Sequence, residues 1–120
     1  MRAYELYEDV KSLEKQLQDK YPDIDTLFLS LNDSTIRLSS IIINPQARKT
    51  GVGTQVMQDL VNYADQHQYR ITLTPGHKDD RHGTTSTARL IKFYKQFGFV
   101  QNKGRNKDFA ISDSMYRDPS

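Results

Sequence analysis

The chain contains no cysteine. A disulfide framework, a zinc site built on thiolates and a cysteine nucleophile are all excluded. Long apolar runs are lacking too. The densest one, Ile41–Ile43, is far too short to cross a bilayer, and Met1–Val10 carries charges where a secretory signal would be apolar. The expectation is a cytoplasmic protein with no membrane partner. Nor is there an excess of one charge. Seventeen basic residues face 15 acidic ones, for a net charge of +2. That balance gives no support to a nucleic-acid binder, whose basic residues would cluster. The locally basic stretch Gln101–Lys107 reads as a solvated loop. Internal repeats, low-complexity segments and linkers rich in Pro, Gly or Ser are also missing, so residues 1–120 read as one domain.

What is present suits a globular domain. Hydrophobic residues make up 36% of the chain and charged residues 27%, enough for a core without staples. Leu6, Val10, Leu13 and Leu17 recur at helical spacing, which predicts a helix over Tyr4 to Lys20 that stops before Pro22. Leu27, Leu29 and Leu31 alternate with Phe28 and Ser30 as in a strand. The turn residues Asn32-Asp33-Ser34 lead into a second strand, Thr35 to Ile43. Its end, Ile41-Ile42-Ile43, puts apolar groups on both faces, as in a central strand covered on both sides. A second helix carries the stripe Val52, Val56, Leu60 and Ala64, widened by Met57 and Val61, as far as His67. Arg70 to Thr74 reads as a short strand, and Pro75-Gly76 opens a polar loop to Thr85. A third helix, Ala88 to Phe97, follows a cap at Ser86 or Thr87 and ends at Gly98. Phe99-Val100 starts a further strand, and Asp108 to Arg117 supplies the last. The order α-β-β-α-β-α-β-β predicts an α/β fold with a mixed sheet flanked by helices.

Between Ile41 and Thr54 a buried strand ends, the chain turns tightly and a helix starts at two closely spaced glycines. The first helical N–H groups have no intrahelical acceptor and lie at the positive end of the helix dipole, which suits a phosphate or pyrophosphate. Gly51 and Gly53 let a ligand approach the backbone, and Arg48 and Lys49 add positive charge. The stretch is neither a P-loop nor a dinucleotide fingerprint, because Gly51-Val52-Gly53 is followed by Thr54-Gln55-Val56.

Ile41-x-Ile43-Asn44-Pro45 followed by Arg48-Lys49-Thr50-Gly51-Val52-Gly53 resembles the acetyl-CoA signature of the GCN5-related N-acetyltransferases (GNAT). Phe93-Tyr94-Lys95-Gln96-Phe97-Gly98-Phe99 is similar to that family's F-Y-x-x-x-G-F segment. One helix, one strand and one loop separate the two matches, as in the family, and the resemblance spans roughly Leu38 to Val100. It implies a GNAT-like sheet and acetyl-CoA as cosubstrate. Backbone groups from Arg48 through Lys49, Thr50, Gly51, Val52 and Gly53 to Thr54 would then hold the pyrophosphate. Ile41 and Ile43 would offer main-chain groups to the pantetheine arm. Their strand would splay from the Ile71–Leu73 strand to form a slot for the thioester. Tyr94 would protonate or hydrogen-bond the leaving thiolate. The acceptor would be a primary amine attacking directly in a ternary complex.

The match departs from the family in three places. Arg37-Leu38-Ser39-Ser40 has no carboxylate where the family often carries a glutamate, so the general base is unassigned. His77, Asp79, Asp80 and His82 lie in the following polar loop, which reads as surface. They share no helical or strand register, so no metal site is expected. Thr87 stands where asparagine is usual, seven residues before Tyr94. Finally, one helix precedes the first hairpin where a strand and two helices are typical. That favours an open acceptor cleft, a large acceptor such as a protein lysine or N-terminus, or a site completed by a homodimer partner. Two other readings stand beside the enzyme: a CoA-binding module without turnover that acts through a protein partner, and a small interaction protein with no cofactor.

Overall fold

The computed structural model describes residues 3–47, 50–75 and 87–120, with side chains from Val10 onward. Helix α1, Ala3–Lys20, precedes strands β1, Ile24–Asn32, and β2, Thr35–Ile43. Helix α2, Val52–His67, leads to β3, Arg70–Leu73. Helix α3, Thr87–Lys95, is followed by β4, Val100–Gln101, and β5, Met115–Arg117. The element order is the one expected from the sequence.

The five strands form one sheet in the order β1-β2-β3-β5-β4. Only β2 and β3 run parallel, with α2 as their crossover. The other neighbours are antiparallel. The register places Leu29 beside Leu38, Leu38 beside Leu73, and Leu73 beside Met115, so these buried side chains share one face. Val10, Leu13 and Leu17 of α1 and the α2 residues Val56, Met57, Leu60, Val61 and Ala64 complete the same core. Removing these side chains from water is the main favourable contribution to folding.

Polar groups fix the elements around that core. The outer edge of β1 would otherwise expose unpaired backbone groups. Glu14 of α1 accepts the Leu29 N–H at 2.8 Å, and the Lys11 ammonium donates to the Leu29 carbonyl at 2.9 Å. At the other side of the sheet, Arg117 is nearly buried on β5. Its guanidinium grips Asp65 of α2 through both oxygens, at 2.7 and 3.0 Å, while its Nε donates to the Phe97 carbonyl at 2.6 Å. Arg117 thereby ties α2, the turn after α3 and the sheet together. The hydrogen bonds from Arg117, then the backbone N–H of Ser120, hold the Asp65 carboxyl below its ordinary range, against a smaller opposing effect of burial.

Two expectations need correction. Ile41, Ile42 and Ile43 are half-buried, not covered on both faces. The nine-residue β2 pairs with β3 only from Thr35 to Leu38, so its apolar end runs past the β3 pairing. The final strand covers Met115–Arg117 only. Residues 102–114 instead form a loop with a 3-10 turn at Gly104–Asn106, and Phe109 stands 89% exposed. Alternation at Phe109 and Ile111 suggested a strand, but the buried amide of Asn102 claims this backbone instead. Its Nδ2 donates to the carbonyls of Ile111 and Asp113, and its Oδ1 accepts the Asp108 N–H. Gly98 does end the third helical segment, at φ 94°. Among the described residues no helix is long and apolar enough to cross a membrane.

Candidate active site

Strand β2 outruns its pairing with β3. Pairing stops at Leu38 opposite Leu73, and β2 continues through Ile41 to Ile43 alongside β1 alone among the described strands. The chain then tightens. The Ala47 N–H donates to the Asn44 carbonyl at 2.9 Å, and the Thr50 N–H donates to the Ala47 carbonyl at 3.3 Å, with the Thr50 hydroxyl donating to the same oxygen. Gly51 follows at φ 88°, a conformation that a residue with a Cβ adopts only under strain. Helix α2 begins immediately after it.

The first intrahelical bond of α2 runs from the Gln55 N–H to the Gly51 carbonyl, at 3.0 Å. The N–H groups of Val52, Gly53 and Thr54 precede it, so the helix itself offers them no acceptor. Gly51 supplies no side-chain cap, and the first turn holds no acidic residue. Among the described residues, then, no side-chain cap or first-turn carboxylate competes with an external anion at this helix end. Gly51 and Gly53 are glycines for different reasons. At Gly51 the backbone demands it, and a Cβ there would meet nothing within 4 Å. At Gly53 the backbone does not demand it, and among the described residues a Cβ would meet Phe93 Cζ at 3.8 Å, an ordinary contact. A glycine inside a helix costs about 0.5–1 kcal/mol relative to alanine. A ligand lying against the backbone would account for that cost. These features fit the pyrophosphate of a CoA thioester.

Phe93 links this turn to the second motif. It faces Gly53 across the α2–α3 contact, and its ring meets those of Tyr94 and Phe97 edge-on at 5.3 and 5.2 Å. Tyr94 in turn packs against Phe99, with ring centroids 5.8 Å apart. Tyr94 is the buried residue of α3, at 7% exposure. Burial alone pushes its phenol up to about 12, with no hydrogen-bonding group contributing. It is therefore a neutral O–H donor throughout the neutral range, and no described residue takes its proton.

The structure brings together Thr50, Gly51, Val52, Gly53 and Thr54 at the start of α2. It places Ile41 and Ile43 on the part of β2 beyond its β3 pairing, and Tyr94 one residue beyond Phe93. Thr87 opens α3, half-buried. Arg48 and Lys49 lie outside the described residues, as do Ser86 and the loop residues His77, Asp79, Asp80 and His82. Among the described residues no cluster of His, Asp and Glu could hold a metal. Arg89, Lys92 and Lys95 of α3 carry no burial beyond the surface class, and Lys103, Arg105 and Lys107 are likewise exposed.

Sequence reasoning missed Asp113. It is 6% exposed, and its carboxylate accepts a hydrogen bond from the Thr74 hydroxyl at 2.8 Å and pairs with Arg37 at 3.3 Å. No spacing or motif marks it, because its partners lie 39 and 76 residues away.

Comparison with known proteins agrees with this geometry. No curated protein matches the chain. Among solved structures, the anti-CRISPR protein AcrVA5 is similar with a TM-score of 0.58 at 19% identity, over 75% of this chain and 85% of that one. Ard1 from Thermoplasma volcanium gives 0.53 at 18% identity, over 92% and 80%. A nourseothricin acetyltransferase gives 0.53 at 18% identity, over 78% and 56%. At such identities these likenesses speak to the fold. The family model described as "Acetyltransferase (GNAT) domain" matches residues 20–101, well over half of the chain and including both motifs. On that match, with the glycine turn and the aromatic helix inside it, this chain belongs to the GNAT family of N-acetyltransferases.

Proposed function

We propose that the chain transfers the acetyl group of acetyl-CoA to a primary amine, by direct attack within a ternary complex. The observation that carries this reading is the uncapped start of α2, where, among the described residues, Gly53 is required by neither backbone nor packing and faces the aromatic cluster around Tyr94. The N–H groups of Val52, Gly53 and Thr54 hold the pyrophosphate together with Thr50, and Arg48 and Lys49 of the same motif add positive charge. Ile41 and Ile43 lie along the pantetheine arm on the part of β2 beyond its β3 pairing, and Thr87, the first residue of α3, lies near the cofactor. When bound, acetyl-CoA supplies an activated acyl group whose thiolate leaves as the amine attacks.

Tyr94 meets that thiolate as a hydrogen-bond donor. A free thiol titrates near ~8.5, so handing over a proton from a phenol at about 12 is uphill by about 5 kcal/mol. The phenol therefore stabilises the developing charge without surrendering its proton. The proton that finally neutralises the thiolate comes from the attacking amine.

The acceptor is a large one, a protein lysine or N-terminus. The near-neutral charge favours neither nucleic acid nor membrane as a partner. The 120 residues act as one domain in the cytoplasm, and a homodimer partner is an alternative way to complete the acceptor side.

Thermal unfolding with added acetyl-CoA, against dephospho-CoA and ATP, tests the cosubstrate. A ligand that binds only the folded state adds about 2.7 kcal/mol at a hundredfold excess over its dissociation constant. A clear rise in Tm is expected with acetyl-CoA. No rise at millimolar acetyl-CoA would leave the glycine turn as only a turn.

A further inference from the structure

The sheet has an open edge at β4. That strand ends the sheet order, so among the described strands only β5 lies beside it. The Asn102 N–H donates to the Ser114 carbonyl at 2.8 Å. Backbone groups alternate in direction along an antiparallel pair, so those of Val100 also face β5 while those of Phe99 and Gln101 face outward. The Lys103 N–H donates to the Gln101 carbonyl at 2.9 Å. The Phe99 carbonyl and the Gln101 N–H are left on the open side. A shallow groove of about 490 Å³ follows this edge. It is lined by Phe99, Val100 and Gln101, by Lys95 at the end of α3, and by Lys103 and Asn106 of the loop after β4. The loop wall is braced. The Tyr116 hydroxyl donates to the Asn106 carbonyl at 2.5 Å, and the N–H groups of Asn106 and Lys107 donate to the carbonyls of Lys103 and Gly104, each at 3.1 Å.

Charge at this groove has one sign. From Lys95 to Lys107 the chain holds four cations, Lys95, Lys103, Arg105 and Lys107, and no acidic residue. The segment therefore carries +4 in a chain whose net charge is +2. All four side chains are exposed, and among the described residues none of them forms a salt bridge. The carboxylate next in the chain, Asp108, is committed to Arg70 at 2.8 Å.

We infer that this groove docks an extended, acidic segment of a partner protein. The main chain of that segment pairs with the outward groups of Phe99 and Gln101, and its carboxylates meet Lys95 and Lys103. A short edge strand flanked by lysines discourages indiscriminate strand pairing. A guard of one sign turns away neutral and basic strands and admits an acidic one. Nucleic acid fits the edge less well: it has no main-chain amides to pair there. Phe99, the aromatic ring of the groove, is 2% exposed and offers no face for a base to stack on. The groove shares no residue with the glycine turn, and docking there does not depend on acetyl transfer.

The test is a titration of the isotope-labelled full chain with a short capped peptide that alternates glutamate with valine, followed by amide NMR. Saturable shifts are expected at Gln101 and Lys103. The matching glutamine–valine peptide binds about tenfold more weakly, and added salt narrows the difference. Lys95→Glu combined with Lys103→Glu lowers affinity for the acidic peptide on the order of tenfold or more. Both side chains are exposed, so the double variant keeps the fold, which a thermal melt checks. No saturable shift at millimolar acidic peptide, equal binding of the glutamine peptide, or an affinity unmoved in the folded double variant overturns the inference. Oligothymidylate or phosphatidylserine vesicles run beside the peptide. If either binds more tightly than the peptide and loses that binding in the double variant, the patch serves phosphate and the protein partner is overturned.

Discussion

Replacing Tyr94 with phenylalanine separates catalysis from packing. The side chain is 7% exposed, and its ring is gripped edge-on by Phe93 and Phe99. Phenylalanine keeps that ring. The hydroxyl is perturbed by burial alone, with no hydrogen-bonding group helping it. Among the described residues the Tyr94 oxygen is not one that is buried and left without a hydrogen bond, so removing it changes stability by less than about 1 kcal/mol, a Tm shift below roughly 3–6 °C. Turnover does change. Losing one donor aimed at developing negative charge lowers kcat by about a hundredfold or more. The assay is thiol release from acetyl-CoA with an accepted amine, beside a thermal melt. The phenol also marks the alkaline limb of stability. Its folded value, about 12, lies above the ordinary ~10 of an unfolded chain. Its contribution is thus fully present below the unfolded value and lost as pH rises through the folded one, worth about 2–3 kcal/mol. Tyr94→Phe abolishes that pH dependence. A variant that melts lower and retains full turnover would refute the reasoning, because the hydroxyl would then be structural.

Four further outcomes follow from the same physics. Gly53→Ala gains about 0.5–1 kcal/mol of stability, since the new Cβ meets Phe93 at an ordinary distance; it loses tenfold or more in acetyl-CoA affinity by calorimetry, whereas unchanged affinity would show that nothing approaches that backbone. Gly51→Ala costs about 1–2 kcal/mol through its left-handed φ even though the Cβ has space, which a denaturant melt checks. Arg117→Met strands the Asp65 carboxylate and the Phe97 carbonyl together and costs about 2–4 kcal/mol. Because Asp65 titrates below its ordinary range in the fold, its contribution is present above that range and lost as pH falls through the folded value. An Asp65→Asn variant accordingly shows a flatter acid limb than the wild type.

The helices were legible because their apolar stripes repeat locally. Val56, Leu60 and Ala64 read as one face in the sequence and are one buried face in the fold. The glycine turn and the aromatic helix were legible as motifs because backbone approach and ring packing restrict residue type at short spacing. Ile41–Ile43 misled because apolar character on both sides of a strand marks two covered faces or a strand end that outruns its neighbour equally well. Phe109 misled because alternation over a few residues outweighs nothing once Asn102 captures the surrounding carbonyls. The ties made by Arg117 and Asp113 join residues dozens of positions apart, and a single sequence carries no local trace of such pairs.

The central claim is that the start of α2 grips the CoA pyrophosphate. Amide NMR of the labelled protein during titration with CoA tests it at the atoms concerned. The account predicts that the Val52, Gly53 and Thr54 amides shift most and downfield, as N–H groups without helical acceptors gain charged ones, with smaller shifts at Tyr94. Saturable CoA binding that leaves these three amides in place would contradict it.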